Sequence, residues 1–107
     1  MSTDSVAAET FKYDIAISFL SQDEDRASEI HRLLEERLRV FIYTREQEQI
    51  AGRDGEKVLA DVFGQDSRVV VVLHRAEWGS TPFTRVEETA IRNRAYEDGY
   101  DFVVLCR

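Results

Sequence analysis

The chain has 107 residues, of which 43% are hydrophobic and 33% charged, a composition typical of one globular domain. Its 21 acidic and 14 basic side chains give a net charge of -7, which argues against binding to nucleic-acid phosphates. No run approaches the length of a membrane span, and the first ten residues lack the pattern of a signal peptide. The single cysteine, Cys106, excludes an internal disulfide. We therefore expect a soluble, cytoplasmic protein without nucleic-acid or membrane partners.

Apolar segments alternate with amphipathic ones from residue 13 onward, whereas residues 1–12 are polar and are expected to be disordered or extended. Tyr13–Phe19 reads YDIAISF, a short apolar run rich in strand-forming residues. Apolar residues at helical spacing between Ala27 and Leu38 predict a helix after this strand. Ser21 and Glu24 have the spacing of a capping box, so we expect the helix to begin there.

The second predicted strand, Val40–Tyr43, precedes a charged loop, TREQEQIAGRDG, that contains two glycines. The loop ends near Asp54, a predicted N-cap for the next helix. At about 11 residues it is longer than most strand-to-helix connections, and long loops often bind ligands, although a solvated connection is the alternative. The helix that follows, Gly55–Gln65, has four apolar residues on one face: Val58, Leu59, Val62 and Phe63.

Arg68–Leu73 reads RVVVVL, and its four successive valines indicate a strand that is buried on both sides. His74 follows it, where a capping or packing role is expected. A fourth strand is predicted at Asp101–Cys106. Strands that alternate with helices predict a flavodoxin-like, doubly wound parallel sheet in three α/β/α layers, which here stops after the fourth recognisable strand. Such sheets bind ligands beyond the carboxyl ends of their strands.

The helix after the valine-rich strand starts at that edge of the sheet. Thr81 is its predicted N-cap, and Pro82 occupies the first helical position, where its missing N–H is not needed. Four apolar residues form a stripe at helical spacing: Phe83, Val86, Ala90 and Ile91.

Two adjacent glutamates of this helix are not equivalent. Glu87 projects into the apolar stripe, whereas Glu88 is rotated onto the flank, where Arg92 at i+4 is a ready partner. Because burial of an unpaired carboxylate is costly, an inward glutamate has either a basic partner or a function. The structural alternatives for Glu87 are a pair with Arg94, which lies on the same face, or a position at the rim of the core.

Two functions that use this architecture lack the residues they require. A phosphoryl-accepting receiver domain needs paired acids after the first strand and an aspartate after the third, but Phe19, Leu20 and His74 occupy those places. A nucleotide-binding loop needs glycines clustered after the first strand, and the glycines stand at 52, 55, 64, 79 and 99. Both functions are therefore excluded.

Three segments, in order, resemble the TIR domain, the Toll/interleukin-1 receptor homology family. YDIAISF, with Asp14 and Ser18, resembles the first box of the family, and LRVFIYTREQEQIAGRDGEKVL resembles its second strand, BB loop and following helix. SRVVVVLHRAEWGSTPFTRVEETAI resembles the region in which enzymatic members carry an aromatic or cysteine four residues before a glutamate. The resemblance covers residues 13–107 and is nearer to bacterial members than to animal receptor adaptors.

The resemblance implies that Glu87 is the catalytic carboxylate of an enzyme that cleaves the nicotinamide–ribose bond of NAD+. The products would be nicotinamide and ADP-ribose or a cyclic isomer, with NAD+ as substrate, no cofactor and no metal. It also implies substrate contacts for six residues: Phe19, Leu20, Ser21, Arg45, Trp78 and Phe83. Asp61 matches a position at which some enzymatic members have an acid.

The family contains both NAD+ glycohydrolases and non-catalytic modules, and the sequence leaves both hypotheses open. The first is a bacterial antiphage effector activated by oligomerisation through TIR–TIR contacts, which the inward Glu87 favours. The second is a module that only recruits partners, which is favoured by the short chain and by Phe83, where many enzymatic members have tryptophan. Family members usually continue with another helix and strand, so we expect further domains of a longer chain and self-association through strand four.

Overall fold

The computed structural model describes residues 11–43 and 55–106. Its strands are β1 (Tyr13–Ser18), β2 (Val40–Ile42), β3 (Ser67–Leu73) and β4 (Val103–Cys106). Its helices are α1 (Glu24–Leu34), α2 (helical over residues 55–61) and α3 (Pro82–Asp98), with a 3-10 turn at Ser21–Asp23 and a π-helical turn at Val62–Asp66. In these two ranges, no helix combines the length and the apolar character that crossing a membrane requires. The loop after β2 and its predicted N-cap, Asp54, lie outside the described residues.

The four strands form one parallel sheet in the order β2-β1-β3-β4. Ile15 of β1 pairs with Val40 on one side and with Val69 on the other, so β1 is internal to the sheet. The chain first adds a strand on one side of β1 and then continues on the other side. The predicted flavodoxin-like α/β fold is therefore confirmed, and the strand order reverses between β1 and β3.

Both faces of the sheet are covered by helices. Alternate residues of β3 point to opposite faces, so this strand contributes side chains to both cores. Val70 and Val72 pack with Phe63 in the cluster that also receives apolar residues of α2 and α3. Leu73 packs on the other face, with Ala27 of α1. The run of valines thus fills two cores at once, which gives the predicted three layers.

Two local predictions are wrong. Ser21 does not begin α1 with a capping box: it opens a 3-10 turn, and α1 starts at Glu24 without a side-chain capping hydrogen bond. The turn closes when the N–H of Asp23 donates to the carbonyl of Leu20 at 2.8 Å, a tight geometry that delays the α-helix. Val58 does not join the apolar face of α2, because the residues that cover the sheet follow one position later at i, i+3 and i+4 spacing.

The start of α3 is confirmed as predicted. Thr81 is the N-cap, and its hydroxyl accepts a hydrogen bond from the N–H of Thr84, while the hydroxyl of Thr84 accepts one from the N–H of Thr81. Pro82 stands at the first helical position. The helix ends at Gly99, whose φ of 78° lies in the left-handed region that favours glycine. These two caps define where α3 begins and ends.

Arg94 fastens the other half of α3 to the amino-terminal edge of the sheet. Its guanidinium lies 3.9 Å from the ring centroid of Phe102 and donates to the carbonyl oxygen of Ser67 at 2.7 Å. Burial lowers the pKa of Arg94, and the charge of Asp98 opposes that shift. The predicted alternative of a pair between Arg94 and Glu87 is wrong, because this guanidinium is held at the opposite end of the sheet.

We predict that Leu59→Ala lowers the free energy of unfolding by about 2–5 kcal/mol, because it leaves a cavity under α2 at a fully buried position. The neighbouring Val58→Ala is the matched control. Val58 is 43% exposed, so the change is expected to stay within about 0.5 kcal/mol. Urea denaturation of both variants measures the difference. Equal losses would show that Val58 belongs to the core after all.

Candidate active site

Three side chains meet at the carboxyl ends of β1 and β3, where the strand order reverses. Ser18 is the last residue of β1 and is fully buried. Trp78 belongs to the segment between β3 and α3, and Glu87 lies in the second turn of α3. This is the edge at which open α/β sheets bind their ligands.

A directed chain of hydrogen bonds joins the three residues. The indole N–H of Trp78 donates to Ser18 Oγ at 2.8 Å, and the Ser18 hydroxyl donates to Glu87 Oε1 at 2.5 Å. The indole nitrogen can only donate, so the direction of the first bond is fixed. The distance between Ser18 Oγ and Glu87 Oε1, 2.5 Å, is at the short end of the range for O–H···O hydrogen bonds. The sequence predicts no role for Ser18 beyond its place in the segment YDIAISF.

The inward position of Glu87 is confirmed, with its side chain only 4% exposed. The buried residues of α3 follow helical spacing and form one stripe: Thr84, Glu87, Ile91 and Ala95. The prediction for its neighbour is confirmed as well, since Arg92 donates to Glu88 at 2.5 Å on the exposed flank. Because successive helical residues are rotated by about 100°, the two adjacent glutamates occupy different environments.

A second polar contact ties the two loops of this edge together. The Arg75 guanidinium donates two hydrogen bonds to the buried carboxylate of Asp23, at 2.7 and 2.8 Å. The hydrogen bonds from Arg75 lower the pKa of Asp23, and burial acts in the opposite direction. Sequence reasoning missed this pair because its members are 52 positions apart and carry no local signal.

The predicted substrate-binding residues lie in different environments. Phe19 is buried in the core beneath α1, with Ile17 and Leu73. Leu20 is also buried, whereas Ser21 is exposed at the start of the 3-10 turn. Their contacts with a substrate remain predictions.

Of the remaining predicted contacts, Trp78 alone belongs to the hydrogen-bonded chain described above. Phe83 lies in the first turn of α3, and Arg45 lies outside the described residues. The roles of both in substrate binding also remain predictions.

The ring of Trp78 also lines a groove of about 170 Å³ between α3 and β4. Val72 and Leu105 form part of its apolar wall, and Glu88 and Arg92 supply charge. This volume is below the range of pockets that hold drug-sized ligands, so the groove suits one aromatic ring rather than a dinucleotide. The indole thus belongs to both the polar contact with Ser18 and an apolar recess.

Asp61 lines a different groove, of about 370 Å³, together with Gly64, Asn93 and Arg94. Glu87 is not among the residues of that groove, so the two acids do not share a site. Within residues 11–43 and 55–106, no three His, Cys, Asp or Glu side chains are grouped to hold a metal ion.

The expected capping or packing role of the His74 side chain stays a prediction. His74 is exposed at the end of β3, where its backbone N–H donates to the carbonyl of Cys106 at 2.7 Å and extends the pairing of β3 with β4. Its ring lies 6.1 Å from the ring of Trp78. These contacts support the segment that carries the indole.

Comparison of the chain with models of known protein families finds no match, and comparison with curated protein sequences finds no significant match either. The likeness to TIR domains therefore rests on the three sequence segments. The function has to be argued from the chemistry of the site itself.

We predict that Arg75→Gln lowers the free energy of unfolding by about 1–3 kcal/mol at pH 7, because it removes two donors from a buried carboxylate. The folded-state pKa of Asp23 is below its ordinary value of 3.8. The stabilisation is therefore complete above pH 3.8 and is lost as the pH falls through the folded-state pKa. Denaturation of wild type and variant between pH 7 and pH 2 measures this convergence.

Arg92→Gln is the control for that experiment, because it breaks an ion pair on the exposed flank of α3. Such pairs contribute about 0–1 kcal/mol. A stability difference between wild type and Arg75→Gln that stays constant down to pH 2 would contradict the assignment to Asp23.

Proposed function

We propose that the chain is a TIR-type NAD+ glycohydrolase in which Glu87 is the catalytic carboxylate. The observation that carries the proposal is a buried glutamate at the ligand-binding edge of the sheet, whose carboxylate accepts a hydrogen bond from the Ser18 hydroxyl. A carboxylate withdrawn from water in such a place is a functional-site candidate on physical grounds. The sequence likeness to the enzymatic TIR branch supports the same assignment.

One carboxylate is sufficient for this reaction. Ordinary glycosidases need a second acid to protonate the leaving sugar oxygen. In NAD+ the nicotinamide is already cationic, so when the C1′–N1 bond breaks, the electron pair leaves with a neutral nicotinamide. Glu87 would orient the ribose hydroxyls and stabilise the positive charge that develops at C1′. Water then adds to C1′ and releases a proton, which gives ADP-ribose.

The surroundings of Glu87 fit a site of this kind. Trp78 places an aromatic side chain next to Ser18. The groove of about 170 Å³ that Trp78 also lines includes Glu88 and not Glu87, so it is not counted as part of the proposed site. Arg45 and the loop after β2 follow a strand that ends at the same edge, and in this proposal they complete the substrate site. Phe83, Phe19, Leu20 and Ser21 would contribute to it as the family likeness implies.

The second candidate function is a non-catalytic module that assembles through TIR–TIR contacts. The exposed apolar side chains of β4, Val104 and Leu105, favour it, since β4 is an edge of the described sheet. The two functions combine if assembly activates the enzyme. We propose that combination, in a bacterial antiphage effector.

We predict that Glu87→Gln lowers the rate of nicotinamide release from NAD+ by about 10²-fold or more, because it removes the negative charge that stabilises the transition state. Glutamine keeps the size and a hydrogen-bond acceptor for Ser18, so the fold is expected to persist. Glu88→Gln, on the exposed flank, is the matched control and is expected to retain wild-type activity. Chromatographic detection of nicotinamide measures all three proteins.

No release from the wild type, even when it is clustered on a surface, would favour the interaction module. Equal losses in both glutamine variants would contradict the distinction between the inward and the flanking glutamate.

We predict that specific activity rises when the protein is concentrated or clustered, because the proposed activation depends on self-association. Leu105→Lys is expected to abolish this rise by placing a charge on the exposed apolar surface of β4. Leu33→Lys is the control, since Leu33 is an equally exposed leucine on α1. The same specific activity at all concentrations of wild type would contradict activation by assembly.

A further inference from the structure

We propose that Trp78 and Ser18 are positioning residues that set the orientation of the Glu87 carboxylate. Neither residue is proposed to react with the substrate. Ser18 is fully buried and donates a hydrogen bond to Glu87, so it acts through that carboxylate. The inference concerns the reaction stated above and therefore rests on the proposed function. The hydrogen-bonded chain itself can be tested without any activity.

The direction of the chain follows from the inventory of donors. A serine hydroxyl has one proton and rotates freely unless its neighbours fix it. Here the indole N–H of Trp78 donates to Ser18 Oγ, so Ser18 acts as an acceptor on that side. The single proton of the Ser18 hydroxyl then points at Glu87 Oε1. The carboxylate thus receives a donor of fixed direction. Hydrogen bonds in such a chain polarise each other, which strengthens the bond to the charged end.

Each of the three residues is held by a separate part of the fold. Ser18 is paired in register with Val72 of β3, so its backbone cannot shift without disrupting the sheet. Glu87 is placed by α3, whose buried stripe, which includes Ile91 and Ala95, packs on the sheet. The strand and the helix therefore hold Ser18 and Glu87 in place independently of each other.

The segment that carries Trp78 is fixed at both sides. On one side, the Arg75 side chain is paired with Asp23, and the backbone N–H of Trp78 donates to the backbone carbonyl of Arg75 at 3.0 Å. On the other, the N–H of Gly79 donates to Thr84 Oγ1 at 3.0 Å, which joins the segment to the start of α3. Gly79 has a φ of 92°, a backbone conformation that residues other than glycine rarely adopt. The indole is therefore oriented by the same contacts that define the edge of the sheet.

A misoriented carboxylate loses transition-state stabilisation more than substrate affinity. Ser18→Ala is therefore expected to lower kcat for nicotinamide release by about 10- to 100-fold with KM changed by less than about 3-fold. Ser18→Thr restores the hydroxyl and is expected to recover most of the loss. Trp78→Phe keeps the ring but removes the N–H, so we expect a smaller decrease in kcat. Tyr96→Phe, at a position 93% exposed on α3, is the control.

The sequence contains a single tryptophan, so its indole N–H gives one resonance in a ¹H–¹⁵N spectrum of the whole chain. We expect this resonance to move in Ser18→Ala, which removes the acceptor, and in Glu87→Gln, which removes the charge at the end of the chain. Tyr96→Phe is expected to leave it unchanged. A role of Ser18 in packing alone would not transmit the change at Glu87 to the indole.

An indole resonance that is the same in wild type, Ser18→Ala and Glu87→Gln would overturn the proposal. So would a kcat for Ser18→Ala equal to that of Tyr96→Phe. If the wild type releases no nicotinamide, the proposed function fails, and the indole resonance alone then decides whether Trp78 and Ser18 orient Glu87. If Ser18→Ala does not fold, Trp78→Phe and the resonance in Glu87→Gln make the same distinction.

Discussion

The hydrogen bond between Ser18 and Glu87 joins the central part of the sheet to α3 through a group that water would otherwise solvate. A buried carboxylate is tolerated only when donors replace the lost hydration. The hydroxyl supplies such a donor, and the indole of Trp78 holds the hydroxyl in place. The placement of α3, the course of the segment after β3 and the rotamer at the end of β1 are therefore coupled to one another.

The two apolar cores position the elements that carry this hydrogen bond. The valines of β3 fill both cores, so this strand can be covered by α1 on one face and by α2 and α3 on the other. The two loops of the site then leave neighbouring strands at the same edge, where the Arg75–Asp23 pair fixes their separation. Acidic side chains outnumber basic ones in this chain, and at this edge the cation Arg75 pairs with one of the acids, Asp23. The Arg75 guanidinium thus donates to the buried carboxylate of Asp23, and the Ser18 hydroxyl donates to the buried carboxylate of Glu87.

Sequence patterns predicted the parts of this structure that depend on local spacing. Four valines in a row gave β3, Thr81 and Pro82 gave the start of α3, and the 100° rotation per residue separated Glu87 from Glu88. The 3-10 turn at Ser21 was missed because the Ser-x-x-Glu spacing also fits a capping box. The exposure of Val58 was missed because Val58 lies at the margin of the stripe that Leu59, Val62 and Phe63 form. The partners Ser18, Trp78, Asp23 and Arg75 could not be paired from sequence, since only the parallel sheet brings them together.

The polar contacts of the site connect residues that are 52, 60 and 69 positions apart. A partly folded chain that has formed its local helices but not the β1–β3 pairing possesses none of them. The polar contacts of the site therefore depend on the β1–β3 pairing and cannot form before it. A fragment lacking either end of these contacts would keep Glu87 in a helix while losing the environment that makes its carboxylate unusual.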